Sequence, residues 1–290
     1  MSGGTRLCWY FLWTGQVALA VCLAVGACCL PVFAQDTSPV QATSPQDTSG
    51  SFPEHPSENK TPEKKPPVSY GAEVVFQSGH ADRGFVISDR PVVQSAAWVS
   101  GRGVEFSLWN NLTLADARDG SRPRILEMEL SSEHQWRKLT IEPAIATYFY
   151  NDALNRSSSS DRSIEGWLYL SYHAGPFRLF TNHSFDVLTY RGAYFGEAGI
   201  EFERRVSRVK VGGSFSTGWA SSGFNDEWAN FNKSALNRIS VEGWLKAYVQ
   251  PHLYIRPHFE FSSIVDRALR IEVERPTFLF VGFTTGVEFK

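Results

Sequence analysis

The chain reads as an all-β protein: one antiparallel transmembrane β-barrel of twelve strands, preceded by a signal peptide and a disordered linker. Three observations predict this. From residue 70 onward, hydropathy alternates with a period of two over twelve segments, which gives extended strands an apolar and a polar face. Long polar loops and short turns alternate strictly between the segments, the plan of an outer-membrane barrel with an even strand count and both termini on the short-turn side. Most segments also supply the roughly 9–11 residues that a tilted spanning strand needs.

The organisation before the barrel follows from composition. The 290 residues carry a formal charge of −2, which gives no reason to expect nucleic acid as a partner, and 14% are aromatic. All four cysteines, Cys8, Cys22, Cys28 and Cys29, precede residue 30, so the body holds neither a disulfide framework nor a cysteine metal site. Residues 1–34 read as a signal peptide: Arg6 is its charge, residues 17–30 are apolar or small, and Val32-Phe33-Ala34 forms a cleavage site before Gln35. Val25-Gly26-Ala27-Cys28 also loosely resembles a lipoprotein box, with Cys28 as the acylated residue. Residues 35–69 are Pro-, Ser-, Thr- and charge-rich and bury too little to offset the entropy of ordering, so they read as a disordered periplasmic spacer. Residues 70–290 are the barrel domain.

The predicted strands are 70–77, 92–100, 104–112, 124–133, 136–149, 163–173, 177–186, 194–204, 208–219, 239–249, 253–264 and 277–289. The short turns are Gly101-Arg102-Gly103, residues 133–135, Ala174-Gly175-Pro176, Val206-Ser207 and Gln250-Pro251-His252. The polar stretches 151–162 and 220–238 are long loops without helical patterning. Trp98, Trp136, Tyr148, Tyr150, Tyr172, Phe177, Tyr194, Trp219 and Tyr254 fall near strand ends and suit an interfacial aromatic girdle. Pro143 and Pro257 fall inside strands with no free edge, so each predicts a bulge or a strand that begins near the proline. Val281, Phe283, Val287 and Phe289 share one parity at the end of the chain. An aromatic C-terminal strand is what the barrel-assembly machinery reads, although here Lys290 follows Phe289.

Residues 82–112, DRGFVISDRPVVQSAAWVSGRGVEFSLWNNL, read as an ordered surface loop, a strand, a turn and a second strand. In the second strand Val104, Phe106, Leu108 and Leu112 share one face, while Glu105, Ser107, Trp109 and Asn111 share the other. This stretch resembles the opening of the TorF family of porins. Arg83-Gly84, Ser88-Asp89, Pro91, Gln94 and Trp109-Asn110-Asn111 stand where that family has its pattern, with Asp82 in place of a tyrosine. The resemblance implies a porin-like barrel and passage of small hydrophilic solutes or ions.

Parity assigns candidate pore-lining residues: Glu105, Glu142, Glu165, Trp167, Arg178, Lys210, Glu242, Trp244, Lys246, Arg256 and Glu260. Glu73, Glu127, Glu129, Glu197, Glu201, Glu203, Glu288 and Lys138 also point inward by the same rule. Twelve inward acids against five inward bases imply a mild preference for cations. The repeated hexapeptide of residues 163–168 and 240–245 gives Glu165 and Glu242 a shared setting at similar depth. An enzymatic alternative, a lipid-hydrolysing barrel, would need His183 and Ser184 to share a face. Adjacent strand residues do not. The histidines show no metal-ligand spacing and glycine-rich phosphate loops are absent, so no cofactor is expected. The third class is a barrel with a plugged lumen.

Overall fold

The computed structural model describes residues 68–114, 124–151 and 162–289. The expected signal peptide, almost all of the linker, all four cysteines and most of loop 151–162 lie outside them.

The strands are β1 (Ser69–Gln77), β2 (His80–Asp82), β3 (Phe85–Ser88), β4 (Val92–Gly101), β5 (Val104–Thr113), β6 (Arg124–Ser132), β7 (His134–Trp136), β8 (Leu139–Asn151), β9 (Arg162–Ala174), β10 (Phe177–Asp186), β11 (Tyr194–Val206), β12 (Val209–Ala220), β13 (Ala235–Tyr248), β14 (Leu253–Ile264) and β15 (Thr277–Phe289). Two short helices, α1 (Ser222–Ala229) and α2 (Leu269–Glu272), sit in the last two long loops. Neighbours around the ring pair antiparallel; β1 pairs with both β4 and β15, and β6 with both β5 and β8. The ladder is therefore a closed ring of twelve strands, β7 being a short continuation of β6 and β2–β3 a separate hairpin. Closure satisfies every strand on both sides, the condition for placing a sheet in lipid.

The two faces separate by parity. Phe76, Phe106, Leu130, Ile145, Leu279 and Val281 are exposed on the outside, an apolar surface for hydrocarbon. Inward rings lie flat over glycines of the adjacent strand: a Cβ at Gly71, Gly212 or Gly286 would collide with Trp98, Trp244 or Tyr254. The aromatic girdle is accordingly smaller than expected. Trp136, Tyr172, Phe177, Tyr194 and Trp219 have outward parity, whereas Trp98, Tyr148 and Tyr254 point into the barrel.

Several boundaries move for identifiable reasons. The first turn has two residues, not three: Gly101 pairs with Val104, and Arg102 and Gly103 both take positive φ, 56° and 81°, as a type I′ hairpin turn requires. The turn expected at 133–135 lies at Arg137-Lys138, because His134, Gln135 and Trp136 continue the hairpin against β8. Lys138 is thus exposed at a turn rather than lining the lumen. Pro143 and Pro257 neither bulge nor start a strand. Each keeps its register with one neighbour, Leu168 and Phe283 respectively. On the other side the ladder lapses where the amide is missing, between β6 and β7 and between Trp244 and Ala247. β13 starts at Ala235, four residues before the expected 239, with a register shift at Gly218/Trp219.

Long connections should face the cell exterior and short turns the periplasm. A single cysteine at Lys233 is expected to react with an impermeant maleimide on intact cells, and one at Arg102 to stay unlabelled until the envelope is opened. The reverse pattern would turn the barrel over.

Candidate functional site

The main departure from the sequence reading is residues 78–91. They are not a surface loop. β2 and β3 form a hairpin folded into the barrel, with Ala81 and Asp82 0% exposed and Arg83 4% exposed. Its tip, Arg83-Gly84, has positive φ at both residues, 49° and 98°, the same turn chemistry as Arg102-Gly103.

The hairpin leaves β1 and reaches the far wall. Five strands separate β1 from β10 in either direction around the ring, so β10 faces it. Arg83 grips Glu165 of β9 with two hydrogen bonds, 2.6 and 3.3 Å. It also stacks over Trp167 of β9, Phe195 of β11 and Phe224 of α1, at 4.9, 5.5 and 5.3 Å. β9 and β11 are the two neighbours of β10, so the hairpin spans the lumen. A forked, charge-assisted pair under aromatic faces is strong and geometrically selective.

The root of the hairpin is fixed as well. Gln94 of β4 donates to His80 Nδ1 at 3.0 Å, and the His80 ring lies 5.8 Å from that of Trp109. Ala81 packs on Phe278 and Phe280 of β15. Phe85 joins Ala193, Phe195, Ala220, Phe224, Trp228, Ile264 and Leu269 in one apolar cluster. α1 enters that cluster through Phe224 and Trp228, one turn apart. Ser221 caps the helix by accepting from the Phe224 amide, and Asn230 ends it in the left-handed region at φ 51°.

Interior burial therefore changes with depth. Toward the long loops, inward side chains such as Asn111, Tyr148, Glu165, Ser184, Glu197 and Arg238 are buried. Toward the short turns, Glu105, Glu142, Tyr169, Glu201, Glu242 and Trp244 are half-buried. The long-loop half is packed throughout; the short-turn half is mixed, because Lys210, Lys246 and Tyr254 are buried there while the residues just named are half-buried.

Charge divides the interior differently. The bases lie on β10, β12, β13 and β14, and each has an acid: Arg178 with Glu201, Lys210 with Glu203 at 3.4 Å, Arg238 with Glu197 at 2.8 Å, Lys246 with Glu288 at 3.2 Å and Arg256 with Glu73 at 3.9 Å. Opposite them, Glu105, Glu127, Glu129 and Glu142 share the inner face of β5, β6 and β8. Tyr148 donates to Glu127 at 3.3 Å and Tyr169 to Glu129 at 3.1 Å. Among the described residues no ion pair involves Glu105, Glu127 or Glu129. One wall is neutralised within itself and the other is acidic.

Every sequence-assigned lining residue has inward parity, but they do not act as one set. Glu165 is buried and bound to Arg83, so it anchors the hairpin. Glu242 is half-buried beside Glu260 across the β13–β14 ladder; the two glutamates do not share a setting. Arg83, Arg238 and the α1 aromatics were missed. Arg83-Gly84 repeats the dipeptide of a hairpin turn already recognised, and Phe224 and Trp228 stand four apart after a capping serine. These were the available signals. Arg238 fell before the expected start of its strand. His183 faces outward and bonds Tyr194 at 2.9 Å, while Ser184 is buried inside. No group able to hold a metal occurs among the described residues.

No family profile and no curated protein matches the chain in sequence. Solved structures similar to it are the NanC porin (13% identity, 76% of this chain and 99% of that one, TM-score 0.47), an outer-membrane channel from Pseudomonas putida F1 (9%, 78% and 97%, 0.45) and the KdgM porin (11%, 77% and 98%, 0.44). All three are barrel proteins of low identity.

His80 supplies a pH test of the hairpin. Burial lowers its pKa from 6.5 to about 4. Burial opposes the Arg83 charge, but Glu165 and then Asp82 outweigh it and hold the guanidinium above its usual range. A depressed histidine pKa makes docking fully favourable above the unfolded value. That contribution is lost as pH falls through about 4, roughly 3 kcal/mol once below both values. Amide protection of residues 80–88 should therefore fall between pH 6.5 and 4, and a His80→Gln variant should lose this dependence. Protection indifferent to pH in the wild type would contradict it.

Proposed function

We propose that the chain is a porin-like channel of the bacterial outer membrane, of the TorF kind, passing small hydrophilic solutes or ions with a modest preference for cations. The observation that carries the reading is the polar lumen, lined on one wall by the half-buried Glu105, Glu129 and Glu142. Low-dielectric walls focus such a field and concentrate counter-ions. The β2–β3 hairpin sets the passage. Outer-membrane lipid surrounds the barrel, and the aromatic last strand, where Phe289 stacks on Tyr70 at 5.0 Å, suits recognition by the barrel-assembly machinery. No enzymatic step is assigned. The residues 1–34 and 35–69 fit export and a periplasmic tether.

A second reading, a structural barrel with a permanent plug, is favoured by one observation: the hairpin is buried and fixed at both root and tip. Planar-bilayer recording separates the two. Wild-type protein should give small cation-preferring steps. Arg83→Ala or Glu165→Gln should raise unit conductance severalfold, since cutting one partner of a buried pair costs roughly 3–5 kcal/mol. Replacing Glu105, Glu129 and Glu142 by glutamine should move the reversal potential toward zero under a salt gradient. Silent bilayers from wild type and hairpin variants alike would establish the plug.

A further inference from the structure

The short-turn rim carries a charge pattern that the lumen does not use. Arg102, Arg137, Lys138, Arg204, Arg205 and Arg208 are all exposed there. Among the described residues none of the six makes an ion pair, whereas the lumen-facing bases Arg178, Lys210, Arg238, Lys246 and Arg256 each do. The acid among these turn residues is Glu133. Isolated exposed cations are common. A run of six over neighbouring turns, with one half-buried acid among them, is not explained by solubility at a net charge of −2.

The second observation is independent: the rings directly below these bases face lipid. Trp136 is 66% exposed, Tyr172 45%, Phe177 43% and Phe202 37%. All have outward parity, and they follow one another along β7, β9, β10 and β11. Leu139 bridges Trp136 to Tyr172 in the ladder, and Phe177 sits opposite Phe202 with ring centres 5.6 Å apart. Beyond each end of this arc comes a base. The Arg137 guanidinium stacks over Trp136 at 5.6 Å. Arg204 continues the outward series Ile200, Phe202, Arg204, and β11 runs past the first residue of β10 to reach it. Between the two basic turns the β9–β10 turn is Gly175-Pro176, without a side chain long enough to fill the space. An aromatic belt at the hydrocarbon boundary with cations one step outward matches the order of a phospholipid leaflet: acyl chain, glycerol, phosphate.

We infer that the arc from Trp136 to Arg208 is a binding surface for the phosphate headgroups of anionic phospholipids in the leaflet on the short-turn side. Arg137, Lys138, Arg204 and Arg208 take the phosphates; Trp136, Tyr172 and Phe177 hold the glycerol level. The inference needs only that the barrel spans a bilayer, and it stands or falls separately from conduction.

The test uses the full chain in vesicles of phosphatidylcholine alone or with added phosphatidylglycerol. Bound lipid is counted by native mass spectrometry and the thermal midpoint is read in both. Wild type should retain phosphatidylglycerol preferentially and melt higher in its presence, with the preference weakening at high salt. The quadruple variant Arg137→Gln, Lys138→Gln, Arg204→Gln, Arg208→Gln should lose roughly fivefold in preference per base, ~1 kcal/mol each. Changing Arg191, Lys233 and Arg267 to glutamine at the opposite rim should leave it intact. If the quadruple variant fails to show the heat-shifted gel migration of a folded barrel, the single Arg204→Gln and the charge-keeping Arg204→Lys carry the comparison. A wild type indifferent to headgroup charge, a quadruple variant with full preference, or displacement of the lipid by soluble glycerol phosphate at equal concentration would overturn the assignment.

Discussion

Ring closure is the constraint on which everything else rests. A strand edge in hydrocarbon leaves amides and carbonyls without partners, at several kcal/mol each. The chain meets this by bringing β1, its first strand, between β4 and β15, its last. Once the ring is closed, parity has only two destinations. Residues of one parity meet lipid and must be apolar; the others meet a confined interior that can hold charge, water or more protein. The chain fills that interior with ion pairs along β10–β14, an acidic face on β5–β8 opposite them, and a hairpin with an apolar cluster beneath the long loops.

The twelve strands were legible because alternation, loop asymmetry and turn chemistry all pointed the same way. Even the errors at Pro143 and Pro257 were errors of degree. A missing amide can be absorbed by a gap on one side of the ladder, which is cheaper than displacing a strand paired on the other. The site was harder. Parity identifies which side chains face inward, but it is silent on what fills the interior. Glu165 and Glu242 look alike in sequence because their hexapeptides match. One is neutralised by Arg83, a residue eighty-two positions earlier, and no local pattern reports a partner at that distance. The hairpin itself was hidden by a reasonable prior: polar residues between strands are usually solvent-exposed. Arg83 is polar and buried because it meets Glu165 across the lumen, and His80 because Gln94 donates to it at the root.

The interior also shows how a lumen filled with aromatics can remain partly open. Trp98, Trp244 and Tyr254 lie against glycines of the next strand, so their rings run along the wall instead of across the space. A β-carbon at Gly71, Gly212 or Gly286 would lift them inward. Glycine in these strands sets clearance, and its cost in strand propensity is offset by the contact area of the ring that covers it.

The hairpin hangs from β1, and β1 is one lip of the seam where the two ends of the sheet meet. Residues 69–91 therefore belong at once to the closure of the wall and to the contents of the barrel. A force that peels β1 from β15 draws on the same short segment that carries Ala81, Arg83 and Phe85. Unzipping of the seam and extraction of the hairpin are in this way a single mechanical event. A hairpin suspended from any mid-sheet strand would have left the two independent.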